Sequence, residues 1–133
     1  MAGEEIVGRL ATAARAVAAH YGIGFRCLEV RAGRTAGPGL VPGRNGFLIF
    51  AALLDGAHSG TIGLGVHAGT AYHDCSPAFI GHMDQVVRAC SAGAAGVEAP
   101  LVHWHKHQIW AYARDRVADG GAPRAGEARP RLL

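Results

Sequence analysis

The longest unbroken apolar run in the chain is Phe47 to Leu54. Eight such side chains are costly to leave in water, so the element they form is expected in the core. The run has no polar face, as in a strand covered on both sides, and the expectation is a buried central strand. Over so few residues a short buried helix has the same pattern. With 133 residues, 50% of them apolar and 17% charged, the chain is long enough to close a core around this run.

The rest of the chain supplies the layers. From Glu4 to Tyr21, residues Ile6, Leu10, Ala13, Val17 and Tyr21 recur at helical spacing, acidic residues stand at the positive end, and Gly22 is a ready stop. Phe25 to Arg31 alternates and predicts a strand. Gly33 to Gly46 has no periodicity and predicts a long loop. After a turn at Asp55 to Gly60, Thr61 to Ala68 predicts a strand with Ile62, Leu64 and Val66 on one face and Gly63, Gly65 and His67 on the other. A glycine-lined strand face implies that a backbone or a ligand comes close. Ser76 as N-cap and Pro77 at the first helical position open a second helix, ending between Ser91 and Gly96. Leu101 to Tyr112 alternates and predicts a last strand. The expected fold is α+β: a single globular domain over residues 1–118, two main helices packed on a mixed, mostly antiparallel sheet of about four strands. Residues 119–133, rich in Gly, Pro and Arg, are expected to be a disordered tail.

Charge and cysteine usage remove several function classes. The formal net charge is only +3, and the segment Arg114 to Leu133 holds the excess, so no basic stripe points to nucleic acid. No apolar run reaches the length of a membrane span, and the acidic start Met1-Ala2-Gly3-Glu4-Glu5 is unlike a signal peptide. Cys27, Cys75 and Cys90 are too widely spaced for a disulfide framework or a C-x-x-C site. The expectation is a cytoplasmic protein acting on a small molecule, with no nucleic-acid or membrane partner.

Candidate chemistry gathers at His103, His105 and His107, which share one face if residues 101–112 are extended. Histidine changes charge near neutral pH, so these side chains, with His67, are candidate acid–base catalysts. A metal could instead be pinched by neighbouring imidazoles, with His103, His105 and His73 as candidate ligands, or the histidines could be satisfied structurally. Arg34 and Arg44 of the long loop, Gly63 and Gly65 of the glycine face, and His107 are candidate substrate-binding residues. Cys75, two residues from His73 and just ahead of a helix start, is a further candidate for a reactive side chain.

Short motifs add a resemblance. Gly39-Leu40-Val41-Pro42-Gly43-Arg44-Asn45-Gly46-Phe47, Ser76-Pro77-Ala78 with Gly81, Val102-His103-Trp104 and Ala19-His20 occur in the order seen in the formaldehyde-activating enzyme family, which they resemble. The resemblance implies a ribosomal-S5-domain-2-like fold and a homo-oligomer. It also implies condensation of formaldehyde with a tetrahydropterin cosubstrate without a required cofactor, His20 being the catalytic acid–base group. The expected function is a small soluble enzyme using histidine acid–base chemistry on a small polar or carbonyl substrate, in the form of a lyase of one-carbon metabolism. The alternatives are a divalent-metal-dependent lyase or hydrolase built on His103 and His105, and a small-molecule or metal-binding module without catalysis.

Overall fold

A computed structural model describes residues 2–30 and 41–118 of the chain, the side chains of 2–7 and 117–118 excepted. The expected tail and Arg34 fall outside the described residues. The chain divides into two compact units, Met1–Gly33 and Arg34–Leu133.

The first unit contains α1, Ala2–His20. Its end follows from glycine chemistry. Gly22 takes φ +64°, the Ile23 N–H reaches back to the Ala18 carbonyl at 2.9 Å, and the Gly22 N–H reaches Ala19 at 3.2 Å. This pair of bonds satisfies the last carbonyls of the helix. Residues 23–30 form neither helix nor strand, which corrects the strand expected there. Leu28 and Val30 are exposed, and no strand pairs with this segment among the described residues; alternation yields a strand only when a neighbour takes its backbone hydrogen bonds.

The second unit is built from α2 (Arg44–Leu54), β1 (Gly60–Gly63), α3 (Pro77–Cys90), β2 (Ala95–Glu98) and α4 (Lys106–Ala118), with a 3-10 turn at His73–Cys75. The two strands are parallel, Gly60 facing Ala95 and Gly63 facing Glu98. Parallel neighbours need a crossover, which the 3-10 turn and α3 provide. The α+β composition is as expected, but four mostly antiparallel strands are not found: the described residues hold one two-stranded parallel sheet.

Two expected strands are helices, for separate reasons. Phe47–Leu54 lies in α2. Leu and Ala dominate the run, Ile49 is its one β-branched residue, and that composition favours helix. The helix buries Asn45 and Ile49, one turn apart, and leaves Phe47, Phe50 and Leu54 on its outer side. Residues 101–103 are a turn and α4 starts at Lys106. The Gln108 Oε1 accepts from the His105 N–H at 2.8 Å while the His105 carbonyl accepts the Gln108 N–H at 2.9 Å, one half of a capping box with His105 as N-cap.

The core lies between α2, α3 and the sheet. Ile49, Ile80, Val87, Ala95, Val97 and Ala99 are buried together, and Ile62, Leu64 and Val66 pack on them from the face predicted for that strand. At the start of α3 the Ser76 Oγ accepts the Phe79 N–H at 3.2 Å and Pro77 is the first helical residue, as expected. Asp84 ties α3 to β2: its Oδ1 accepts the Val97 N–H at 2.8 Å and its Oδ2 accepts from the Arg88 Nε at 2.8 Å. Gly96 is glycine for this reason, because a Cβ there would lie 2.8 Å from both Asp84 Oδ1 and Arg88 Nη2.

Candidate functional site

The segment that continues β1, residues 64–67, keeps its core face inward through Leu64 and Val66, so its other side is left to Gly63, Gly65 and His67. An ideal Cβ on Gly63 or Gly65 would meet no protein atom within 4 Å. Neither residue has the positive φ that demands glycine. Both glycines line a cavity of about 550 Å³, together with Ile62, Leu64, Val66 and His67 of the same segment, Leu48, Ile49 and Ala52 of α2, and Arg44, Asn45, Thr70, Tyr72 and Cys75. It opens beyond the carboxyl end of β1, where parallel sheets bind ligands. Its apolar walls and few converging polar groups have the make-up of a small-molecule site.

One corner of this cavity is held by bonds across the chain. Residue 43, the N-cap of α2, is a glycine with no side-chain cap. The Asp74 carboxylate takes that role from 29 residues away, its Oδ2 accepting the Asn45 N–H at 3.2 Å. The Asn45 Nδ2 donates to the Asp74 carbonyl at 2.9 Å and to the Cys75 Sγ at 3.5 Å. The 3-10 turn is thereby pinned to the start of α2. Beside it, the Arg44 guanidinium lies 5.9 Å from the Tyr72 ring centre, a cation within reach of an aromatic face.

A second pocket of about 310 Å³ shares His67, Thr70, Tyr72 and Cys75 with the first and adds His103. The His67 Nδ1–H donates to the Ala68 carbonyl at 2.7 Å, which leaves Nε2 as the acceptor of the neutral ring. A third pocket of about 590 Å³ lies between Phe50, Leu54 and Cys90, away from the end of β1.

The candidate residues therefore separate. Arg44, Gly63, Gly65 and His67 line the first cavity, and His67 and His103 line the second. His105 packs on Gly69, where a Cβ would lie 3.0 Å from its Nδ1, and stacks on His107 with ring centres 5.8 Å apart. His103, His105 and His107 do not form the expected face, because a turn and a helix start replace the strand. His73 is exposed in the 3-10 turn. His20 ends α1 in the other unit, edge-on to Tyr21 at 4.8 Å. Among the described residues no group of three or more His, Cys, Asp or Glu could hold a metal ion, so His103, His105 and His73 do not assemble the ligand set considered for them. Asn45, Tyr72 and Thr70 were not among the candidates. Had Phe47–Leu54 been taken as a helix, Asn45 would have fallen one turn before Ile49, on the buried face.

Two parallel strands joined through a helix, with a cavity at the carboxyl end of one, make a small α+β arrangement with a candidate ligand site. The family model of queuosine biosynthesis protein QueC matches residues 14–119, and the chain belongs to that family. No curated protein and no solved structure matches it. Membership replaces the resemblance to the formaldehyde-activating enzymes, and with it formaldehyde condensation, the tetrahydropterin cosubstrate and one-carbon metabolism. The geometry agrees with the correction: the apolar strand expected at Phe47 is a helix, and Val102-His103-Trp104 lies in a turn rather than a strand. The metal-dependent and non-catalytic alternatives fit the family no better. A biosynthetic, enzyme-like protein is what the family supports, without the lyase character. No helix among the described residues is long and apolar enough to cross a membrane.

Proposed function

We propose that the chain acts in queuosine biosynthesis by binding a guanine-type heterocycle in the cavity beyond β1. Queuosine carries a 7-deazaguanine base, so a protein that helps to build it handles a flat fused ring with a hydrogen-bonding edge. The observation that carries the reading is the cavity lined by the Ile62–His67 segment and α2, in which Gly63 and Gly65 present bare backbone. A flat ring can lie among the apolar side chains that line it, Leu48, Ala52, Leu64 and Val66, and against the bare backbone of the glycines. Arg44 adds a positive charge at the mouth for a carboxylate or phosphate, in keeping with the ATP-pyrophosphatase-like character of the family.

The test is genetic and chemical. In cells that make queuosine and encode this chain, its deletion should remove queuosine from tRNA, measured by mass spectrometry of nucleoside hydrolysates. The native chain should restore it, and Gly65→Val, which puts a branched side chain on the bare backbone of the cavity lining, should not. Queuosine unaffected by deletion, or restored by that variant, would overturn the proposal.

A further inference from the structure

We infer that Asn45 selects the ligand of this cavity, its side-chain oxygen accepting a hydrogen bond from the N1–H or the exocyclic amine of the bound heterocycle; the inference rests on the cavity being the heterocycle site. Asn45 is 5% exposed, the one buried polar residue among the described residues. Its Nδ2 serves the Asp74 carbonyl and the Cys75 sulfur, and its backbone N–H serves the Asp74 carboxylate. Because a backbone carbonyl only accepts, the amide is fixed with nitrogen toward the 3-10 turn and cannot be flipped. Oδ1 is what remains, and none of the described residues donates to it.

A fully enclosed acceptor without a partner is costly, and among the described residues no fully enclosed side-chain nitrogen or oxygen is unpaired. Oδ1 therefore keeps an opening, and the open space beside Asn45 is the cavity it lines. Tethering the 3-10 turn explains the donors of Asn45; it leaves the acceptor unused. An acceptor held rigid by bonds made elsewhere discriminates sharply. A ligand N–H satisfies it, whereas a ring nitrogen lone pair or a carbonyl placed opposite is repelled and leaves it unpaired.

The experiment is a calorimetric titration of the full chain with three probes: 7-deazaguanine, 7-deazahypoxanthine, which lacks the exocyclic amine, and 1-methyl-7-deazaguanine, which lacks the N1–H. The native chain should bind 7-deazaguanine at least about tenfold more tightly than one of the two analogues, about 1.4 kcal/mol. In Asn45→Ala and Asn45→Ser that preference should shrink to about twofold or less, because the reader of the missing N–H is gone. Equal binding of all three probes by the native chain would overturn the inference while leaving the cavity as the site. So would variants that weaken all three by one common factor, since that is the mark of a purely structural tether. Absence of binding to every probe would overturn the inference and the functional reading together.

Discussion

Filling the space over the glycine face should move stability and binding in opposite directions. Gly65 has no positive φ to protect, its Cβ would meet nothing within 4 Å, and the residue is exposed and among those that line the cavity. Replacing glycine by a side-chain-bearing residue at such a position lowers the entropy of the unfolded chain, a gain of about 0.4–1 kcal/mol. Valine also suits the segment that continues a strand. For a chain of this size the gain corresponds to a rise in melting temperature of about 2–5 °C. The same side chain occupies ligand space. A clash comparable with overpacking costs about 1–3 kcal/mol, which is a loss of affinity for 7-deazaguanine of about 5- to 150-fold. Differential scanning calorimetry and titration calorimetry on one preparation read both effects. A fall in melting temperature would mean that protein atoms need the space over Gly65. Unchanged affinity would mean that the ligand does not lie there.

Other substitutions probe the frame that holds the cavity. Ser76→Ala removes the acceptor of the Phe79 N–H and should cost about 1 kcal/mol in denaturant melts; no change would place the start of α3 elsewhere. Gly96→Ala should destabilise by about 1–3 kcal/mol, because Asp84 Oδ1 is held by the Val97 N–H and cannot yield to a Cβ 2.8 Å away. The Arg88 side chain, then the Val97 amide, hold the Asp84 carboxyl below its ordinary 3.8. A depressed folded value stabilises above the unfolded one and is lost as pH falls through the folded one. The stability advantage of the native chain over Asp84→Asn should therefore shrink between about pH 5 and about pH 2; an advantage independent of pH would remove the carboxylate from the tie.

Local chemistry was the legible part of this chain. The glycine end of α1, the Ser76-Pro77 start of α3 and the inward face of Ile62, Leu64 and Val66 each follow from neighbours in sequence, and all three are present. Gly63, Gly65 and Arg44, singled out as bare backbone and a loop cation that need no partner to be noticed, line one cavity. What failed depended on distance or on too little pattern. An unbroken apolar run conceals its period, so the helix at Arg44–Leu54 was hidden in Phe47–Leu54. Three alternating histidines outweighed the signal of Gln108, whose reach back to His105 starts α4. A helix at Phe47–Leu54 would have revealed the burial of Asn45 but not its partners, because Asp74 and Cys75 lie 29 and 30 residues away.

The most direct measurement is an amide-resolved NMR titration of the full chain with 7-deazaguanine. Binding at the carboxyl end of β1 should shift the amides of Asn45, Gly63, Gly65 and Thr70 together along one saturable curve, while Phe50, Leu54 and Cys90, which line the separate pocket, stay in place. Shifts confined to Phe50, Leu54 and Cys90, or no saturable shift at all, would contradict the assignment of this cavity to the heterocycle.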